Sequence, residues 1–324
     1  MKAIVRKAYG TVDELEVKEI KIPEPKPDQV LIKVKAFGLN HAELYMRQGL
    51  WGEVAVVSGI ECVGTVAEDP SGDLKAGQTV AAIMGGMGRT INGSYAEYSC
   101  VPRSNVIPLT TTLAWADLAA IPESYATAWA CLYTNLRLDQ CETLVVRGAM
   151  SALGQAAVNI ATAKGKTVIA ATRDQSKIGF LTSIGAANVV IEAPSLSGRV
   201  RELHPGGVDA VLDIVGNTTL LDSLKMVKRG GTVCNAGFLG GADPIAFNPL
   251  MDMPSGASLN FFGSFMFGTP GFLLSDIPLQ QIVENAARNI YACKPAHVFK
   301  FEDIKRAHEL MESNKAGGKI VIVL

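Results

Sequence analysis

The sequence predicts an α/β protein that joins a β-rich N-terminal part to a parallel, doubly wound sheet. Short β-branched runs separated by Gly and Pro fill the first 115 residues, a pattern typical of a partly open barrel. The composition changes at about residue 114, where an Ala-rich helical stretch begins. Beyond residue 143, apolar strands alternate with helical segments, which favours parallel strands joined by helices.

Within the β-rich part, period-two patterning and turn residues predict strands over 3–6, 15–20, 30–36, 56–66 and 80–84. A short helix is predicted over 44–48. Near the C-terminus, strands over 296–301 and 320–324 flank a predicted helix over 302–313. We expect this last portion to return to the β-rich domain. The predicted domains are therefore 1–115 with 293–324, and 116–292.

In the second domain, the predicted strands cover 143–146, 167–171, 188–191, 208–215, 231–236 and 258–262. The predicted helices cover 152–163, 174–184, 196–203, 218–227 and 279–291.

The glycine-bearing turn after the first of these strands predicts a dinucleotide site. Gly148 and Gly154 bracket the turn, and a helix follows whose free N–H groups and dipole favour an anion. The motif is incomplete, because Ala149 and Ser151 stand at the first two glycine positions of G-x-G-x-x-G. Similar turns also occur in α/β proteins that bind no nucleotide.

The end of the next strand predicts which dinucleotide is bound. NAD-specific sites carry an Asp or Glu there to bind the ribose hydroxyls. Here the position is Thr172, followed by Arg173, with Lys177 one turn later. A guanidinium and an ammonium favour a 2′-phosphate, and so NADPH. The alternative is that Arg173 and Lys177 are solvated at the start of a helix capped by Asp174.

Composition excludes several function classes. A net charge of −1 gives no basic surface for nucleic acid, and no apolar run is long enough to span a bilayer. The N-terminus lacks a signal-peptide core and is predicted to be a strand. The six cysteines are scattered without a C-x-x-C pair, which indicates free thiols in a reducing cytoplasm.

Five segments in this order resemble the medium-chain dehydrogenase/reductase superfamily, and within it the zinc-independent, zeta-crystallin-like quinone oxidoreductases. The resemblance covers nearly the whole chain and implies a GroES-like barrel followed by a Rossmann domain. The segments are GLNHAELYMRQG (38–49), GIECVG (59–64), GSYAEY (93–98), PESYATAW (122–129) and NKAGGKIV (314–321).

The resemblance also indicates whether the protein binds zinc and which hydride acceptor it uses. Zinc-dependent relatives hold the catalytic ion with Cys, His and Cys, and the matching positions here are Asn40, Ile60 and Glu123. A structural zinc lobe needs four close cysteines, whereas this region offers Cys100 alone. We therefore expect no metal. Without a Lewis acid, hydride transfer suits a small apolar quinone or α,β-unsaturated carbonyl better than an alcohol.

Further site residues follow from the resemblance. It implies that the backbone of Ser151, Ala152 and Leu153 binds the pyrophosphate, and that Thr127 and Asn40 lie beside the nicotinamide. Lys319 fits a cofactor contact and a surface lysine equally well. The other implied cofactor-binding positions are Asn217, Ala236, Gly237, Phe238, Phe262, Gly263, Ser264 and Asn314.

The proton donor and the function leave alternatives open. Tyr45 is the candidate acid, or else part of the pocket wall. Trp51 occupies the position of the tyrosine that enoyl-thioester reductases use, which disfavours 2-enoyl-thioester reduction. A non-catalytic NADPH-binding protein is a third alternative.

The family also implies a homodimer joined through the strand at 258–262. A predicted apolar pocket comprises Trp51, Met84, Met87, Met253, Phe262 and Phe265.

Overall fold

A computed structural model describes residues 1–324, which divide into two compact units. The barrel unit comprises Met1–Glu123, Ser264–Arg288 and Cys293–Leu324. The parallel-sheet unit comprises Ser124–Gly263 and Asn289–Ala292. The predicted second domain, 116–292, is longer than this unit. Residues 264–288 group with the barrel unit, where Gln280 exchanges hydrogen bonds with the backbone of Thr110 at 2.9 and 3.0 Å.

The strands, in chain order, are β1 (Lys2–Arg6), β2 (Leu15–Glu19), β3 (Gln29–Leu39), β4 (Glu61–Glu68), β5 (Thr79–Ile83), β6 (Tyr98–Pro102), β7 (Val106–Pro108), β8 (Thr143–Arg147), β9 (Thr167–Thr172), β10 (Asn188–Ile191), β11 (Val208–Asp213), β12 (Val227–Asn235), β13 (Ser258–Phe261), β14 (His297–Lys300) and β15 (Ile320–Val323).

The α-helices are α1 (His41–Gln48), α2 (Trp115–Ala119), α3 (Pro122–Trp129), α4 (Ala152–Ala163), α5 (Ile178–Ser183), α6 (Leu196–Leu203), α7 (Leu220–Leu224), α8 (Pro249–Asp252), α9 (Leu279–Ala287) and α10 (Ile304–Glu312). None of them combines the length and the apolar character that a membrane-spanning helix requires.

The barrel unit is built around β3. Its seven-stranded sheet has the order β14-β15-β3-β4-β5-β7, and β6 also pairs with β3, while β1 and β2 form a separate hairpin. Strand β15 lies antiparallel to β3, so the C-terminal segment joins this sheet as predicted. Alternate side chains of β3, including Val30, Ile32 and Val34, enter the buried core.

The parallel-sheet unit contains six strands in the order β10-β9-β8-β11-β12-β13, and every neighbouring pair is parallel. In order of appearance this is 3-2-1-4-5-6, the doubly wound arrangement that binds dinucleotides at the carboxyl ends of its strands. The strand order reverses beside β8, whose central residues Leu144, Val145 and Val146 are fully buried. The predicted fold class is confirmed.

Sheet pairing explains two of the predicted boundaries that differ from the structure. Strand β3 continues to Leu39 rather than ending at residue 36, since Leu39 pairs with Ile320 of β15. Helix α1 begins at His41 instead of residue 44, because Asn40 directly after the strand forms a capping box with Glu43. The helix predicted over 218–227 ends at Leu224, because Val227 already pairs with Val208 in the parallel sheet.

Candidate active site

The turn between β8 and α4 is built by close backbone contacts. Gly148 has a φ of +84°, and a Cβ at Gly154 would lie 2.4 Å from the Gly148 carbonyl oxygen. Ser151 caps α4, because its Oγ accepts a 3.0 Å bond from the Gly154 N–H and donates to the Gly148 oxygen at 2.8 Å. The N–H groups of Ala152 and Leu153, in the first helical turn, have no intrahelical acceptor. They are therefore suited to an anion.

Two buried charges fix the carboxyl ends of β8 and β11 on either side of this turn. Arg147 donates to Glu192 at 3.0 Å and to Asp222 at 2.9 Å. Asp213 accepts from the N–H of Gly216 at 2.9 Å and from Ser223 Oγ at 2.6 Å. Burial raises the pKa of Asp213 against these hydrogen bonds. These bonds hold the chain where the two strands end.

The end of β9 places the predicted cofactor-selecting residues at the same edge of the sheet. Thr172 is buried, and its Oγ1 accepts from the Asp174 N–H at 3.2 Å. Arg173 is exposed. Asp174 accepts from the Ser176 N–H at 2.9 Å and so caps the 3₁₀ turn Gln175–Lys177 that leads into α5. Its carboxylate is thus engaged locally, and Lys177 lies at the end of that turn.

Several other predicted cofactor positions follow β11 and β12. Ala236 donates its N–H to the Asp213 oxygen at 2.9 Å, and a Cβ at Gly237 would lie 2.5 Å from the Ile214 oxygen. The Asn217 amide donates to the Asp243 backbone oxygen. Phe238 packs on Phe261, with ring centroids 5.8 Å apart.

The remaining predicted cofactor positions of the parallel-sheet unit have different environments. Phe262 is buried and donates its N–H to the Asn235 oxygen at 2.9 Å. Gly263 directly follows and ends this part of the unit. Thr127 is buried on α3.

In the barrel unit, Asn40 belongs to a buried polar cluster with Glu61 and Lys319. Lys319 Nζ donates to Asn40 Oδ1 at 2.6 Å and to Glu61 Oε1 at 2.5 Å. The Asn40 amide nitrogen donates to the same Glu61 oxygen at 3.0 Å. Glu61 Oε2 accepts from the Glu123 N–H at 2.9 Å. Because both ends of the Asn40 amide have a charged partner, its orientation is defined.

Gly38 makes room for this cluster on β3. A Cβ at Gly38 would lie 2.3 Å from Lys319 Cε and 2.4 Å from Glu61 Oε1. Lys319 precedes β15 and is only 4% exposed, and Glu61 begins β4 and is fully buried. Three strands of one sheet therefore converge on the ion pair.

Glu43 brings a second buried carboxyl group next to the cluster. Its Oε2 accepts from the Asn40 N–H at 2.8 Å, and its Oε1 accepts from the Ile60 N–H at 3.1 Å. Complete burial raises the pKa of Glu43 to about 8, although the Lys319 charge opposes this shift. Burial thus favours the neutral form of the Glu43 carboxyl group at pH 7, and Glu61 is the carboxyl group that pairs with Lys319.

Tyr45 lies on α1, and Trp51 lies in the turn that follows it. Their ring centroids are 6.0 Å apart, and Tyr45 also lies 6.4 Å from the His41 ring. Partial burial raises the pKa of the Tyr45 phenol. The phenol therefore stays protonated at neutral pH.

The residues of the predicted apolar pocket differ in their exposure. Met87 is 1% exposed and belongs to the core of the barrel unit, where its sulfur accepts from Ser99 Oγ at 3.5 Å. Met84 is also buried. Trp51 and Phe265 are 40% and 48% exposed. A loop sequence does not show which of its apolar residues turn inward, and the pocket as a whole stays a prediction.

Two predicted cofactor positions lie at other points of the barrel unit. Ser264 begins a 3₁₀ turn, Ser264–Met266. Asn314 is exposed and has a φ of +56°, and its amide donates to the Glu312 backbone oxygen at 3.4 Å.

The positions that match zinc ligands in zinc-dependent relatives carry other chemistry. Ile60 is 2% exposed and aliphatic, and the Asn40 amide is bound by Glu61 and Lys319. No group of three His, Cys, Asp or Glu side chains lies close enough to hold a metal ion.

Sequence reasoning missed Glu43 and Glu61. Glu61 stands inside an apolar strand, and Lys319 inside an apolar tail. A buried charge needs a partner of opposite sign, so two isolated opposite charges in buried strands were the available signal. Glu43 had a weaker signal, the N-x-x-E spacing of a helix capping box after Asn40.

Two family descriptions match long segments of the chain. "Alcohol dehydrogenase GroES-like domain" matches residues 26–111, and "Zinc-binding dehydrogenase" matches residues 152–275. The chain belongs to the medium-chain dehydrogenase/reductase superfamily. Both halves of the predicted architecture of this superfamily, a GroES-like domain and a parallel-sheet domain, are therefore confirmed in this chain.

Individual relatives agree with this assignment. This superfamily member is 28% identical over 320 residues to the probable quinone oxidoreductase of Schizosaccharomyces pombe, covering 97% of this chain and 94% of that protein. It is 30% identical over 334 residues to a phenolphthiocerol/phthiocerol polyketide synthase of Mycobacterium tuberculosis. That match takes in 97% of this chain but spans only 14% of the relative's length.

A solved structure shows the same fold. The structure of Escherichia coli quinone oxidoreductase complexed with NADPH superposes with a TM-score of 0.87. It is 20% identical, and the match covers 100% of both chains. The two proteins therefore share one fold.

Proposed function

We propose that the protein is an NADPH-dependent oxidoreductase that reduces quinones or α,β-unsaturated carbonyl compounds without zinc. The observation that carries this proposal is which side chains stand where zinc-dependent relatives have their zinc ligands. Ile60 offers no donor atom, and Asn40 is bound by Glu61 and Lys319. An acceptor reduced without a Lewis acid must delocalise the incoming charge onto its own oxygen, as conjugated carbonyls do.

The residues of the parallel-sheet unit fit a dinucleotide. The close approach at Gly154 and the first-turn N–H groups of α4 suit a pyrophosphate. NADPH, when bound, supplies the hydride. Arg173 favours the 2′-phosphate, because no carboxylate follows Thr172 directly and Asp174 is engaged as a cap. The NADPH complex of the E. coli relative is consistent with this choice.

Asn40 and Tyr45 are the side chains proposed to act on the reactants. The cluster orients the Asn40 amide, so that it presents a fixed hydrogen-bonding group to the cofactor or acceptor. Tyr45 is proposed as the proton donor for enones. Quinones need no protein acid, because solvent protonates the product.

The second candidate is reduction of 2-enoyl thioesters, which the similarity to a polyketide synthase supports. Trp51 weighs against it, because an indole N–H is not an acid.

The deciding experiment measures NADPH oxidation with 1,4-benzoquinone, a small enone and a crotonyl thioester in parallel. Turnover confined to the thioester would select the second candidate. No turnover with any of the three, together with tight NADPH binding, would show a non-catalytic protein.

We further propose a homodimer joined through the parallel-sheet unit. Strand β13 is an edge strand with one unpaired side. Phe261 on that strand is 51% exposed, and Leu250 and Met251 on α8 are 88% and 74% exposed. Exposed apolar side chains and an open strand edge both favour association.

A further inference from the structure

An arginine lies between two exposed aromatic rings in the barrel unit. The guanidinium carbon of Arg89 is 5.5 Å from the ring centroid of Trp51 and 5.5 Å from that of Phe265. All three residues are exposed, and Trp51 in turn contacts Tyr45. The arginine is therefore one ring away from the proposed proton donor.

The backbone that carries Arg89 is held in place. Its N–H donates to the Gly86 oxygen at 3.0 Å, and its carbonyl accepts from the Ala55 N–H at 2.9 Å. Two rings within about 6 Å restrict the guanidinium plane by cation–π attraction but leave its edge N–H groups available. A ligand that binds the Arg89 guanidinium therefore restricts this side chain only a little further.

The guanidinium has no protein counterion. No carboxylate lies within 4.0 Å of Arg89, and none of the side-chain hydrogen bonds in the structure involves it. Arg306 offers a contrast in the same unit, because it stacks on Phe299 at 5.9 Å but also pairs with Asp303 at 3.4 Å. The donors of Arg89 remain available for an anion, and a planar fork of this kind matches carboxylate or phosphate oxygens.

We propose that Arg89 binds a carboxylate or phosphate carried by the acceptor, so that the preferred substrate is a conjugated carbonyl compound with an anionic group. The aromatic rings contact the apolar, conjugated part, and the guanidinium contacts the charge. This inference rests on the proposed function and narrows its substrate class.

The test compares two matched substrate pairs with NADPH. The first pair is 4-oxo-2-pentenoate and its methyl ester, which differ by one carboxylate. The second is crotonyl-4′-phosphopantetheine and crotonyl-pantetheine, which differ by one phosphate. We expect Arg89→Gln to lower the anionic-to-neutral ratio of kcat/KM about tenfold in one pair, mainly through KM, and high salt to shrink the difference. The pair that responds identifies the anionic group.

Two further variants and one binding measurement complete the test. Arg306→Gln, the matched control, should leave both ratios unchanged, and Arg89→Lys should restore part of the lost ratio. Calorimetric binding of the same four compounds to wild type and Arg89→Gln requires no turnover, so it decides the inference even if the proposed function fails. Equal effects of Arg89→Gln on the charged and neutral members of both pairs would overturn it.

Discussion

Two carboxyl groups and one ammonium share the buried space beside Asn40. Lys319 lies closest to Glu61, while Glu43 binds two backbone N–H groups and is kept neutral by burial. Removing either member of the ion pair would leave an uncompensated buried charge. The cluster therefore links the stability of the barrel unit to the orientation of Asn40.

The first prediction concerns the pH dependence of stability. The pKa of Glu43 is raised from 4.5 to about 8, so the folded protein holds a proton that the unfolded chain releases in this range. The contribution of Glu43 to stability is complete below about pH 4.5 and is lost as the pH rises through 8. Through Glu43, the free energy of unfolding changes by at most about 1.4 kcal/mol per pH unit.

Urea unfolding of wild type and Glu43→Gln between pH 5 and 8 measures this effect. We expect the variant to be less stable at pH 5, because its amide nitrogen cannot accept from a backbone N–H. Its stability should nevertheless fall less steeply with pH than that of the wild type. Parallel pH profiles for the two proteins would show that Glu43 is ionised in the folded state.

The second prediction concerns Gly38. In Gly38→Ala the new Cβ would overlap Lys319 Cε and Glu61 Oε1, and the strand backbone cannot move without breaking sheet pairing. We expect a loss of about 2 kcal/mol in the free energy of unfolding. Gly198→Ala is the control, since no atom lies within 4 Å of a Cβ on that helical residue. Equal stability of Gly38→Ala and wild type would contradict the packing described for the cluster.

The elements of the parallel-sheet unit were predictable because each strand and helix has its own periodic pattern. The 3-2-1-4-5-6 order is one of several that this alternation and right-handed crossovers allow, so the sequence alone does not select it. The extension of β3 to Leu39 and the early start of β12 were not predictable, because each depends on a partner strand distant in sequence. The pairing of Glu61 with Lys319 is hidden for the same reason.

The third prediction concerns the end of β9. Arg173→Ala should weaken NADPH binding about tenfold or more, because a charge-assisted contact with the 2′-phosphate is lost, and should leave NADH binding nearly unchanged. Arg199→Ala removes another exposed arginine of the same unit and serves as the control. Fluorescence titration with both dinucleotides provides the dissociation constants. Equal affinity of the wild type for NADPH and NADH would contradict the assignment.

At the scale of the whole molecule, the fourth prediction concerns assembly. Light scattering after gel filtration should give about twice the chain mass of 34.3 kDa. Leu250→Lys with Met251→Lys should shift the protein toward the monomer, because it places charges on the exposed apolar surface of α8. Leu203→Lys, at an apolar residue of the same unit that is 43% exposed, is the control. A wild-type monomer at micromolar concentration would contradict the proposed dimer.

The central claim is that this superfamily member reduces conjugated acceptors with NADPH and without zinc. The most direct measurement is NADPH oxidation by 1,4-benzoquinone with protein dialysed against a chelator, with the zinc content of the same sample determined by elemental analysis. We predict full turnover at a zinc content far below one ion per chain. Activity that disappears on dialysis and returns with stoichiometric zinc would contradict the account.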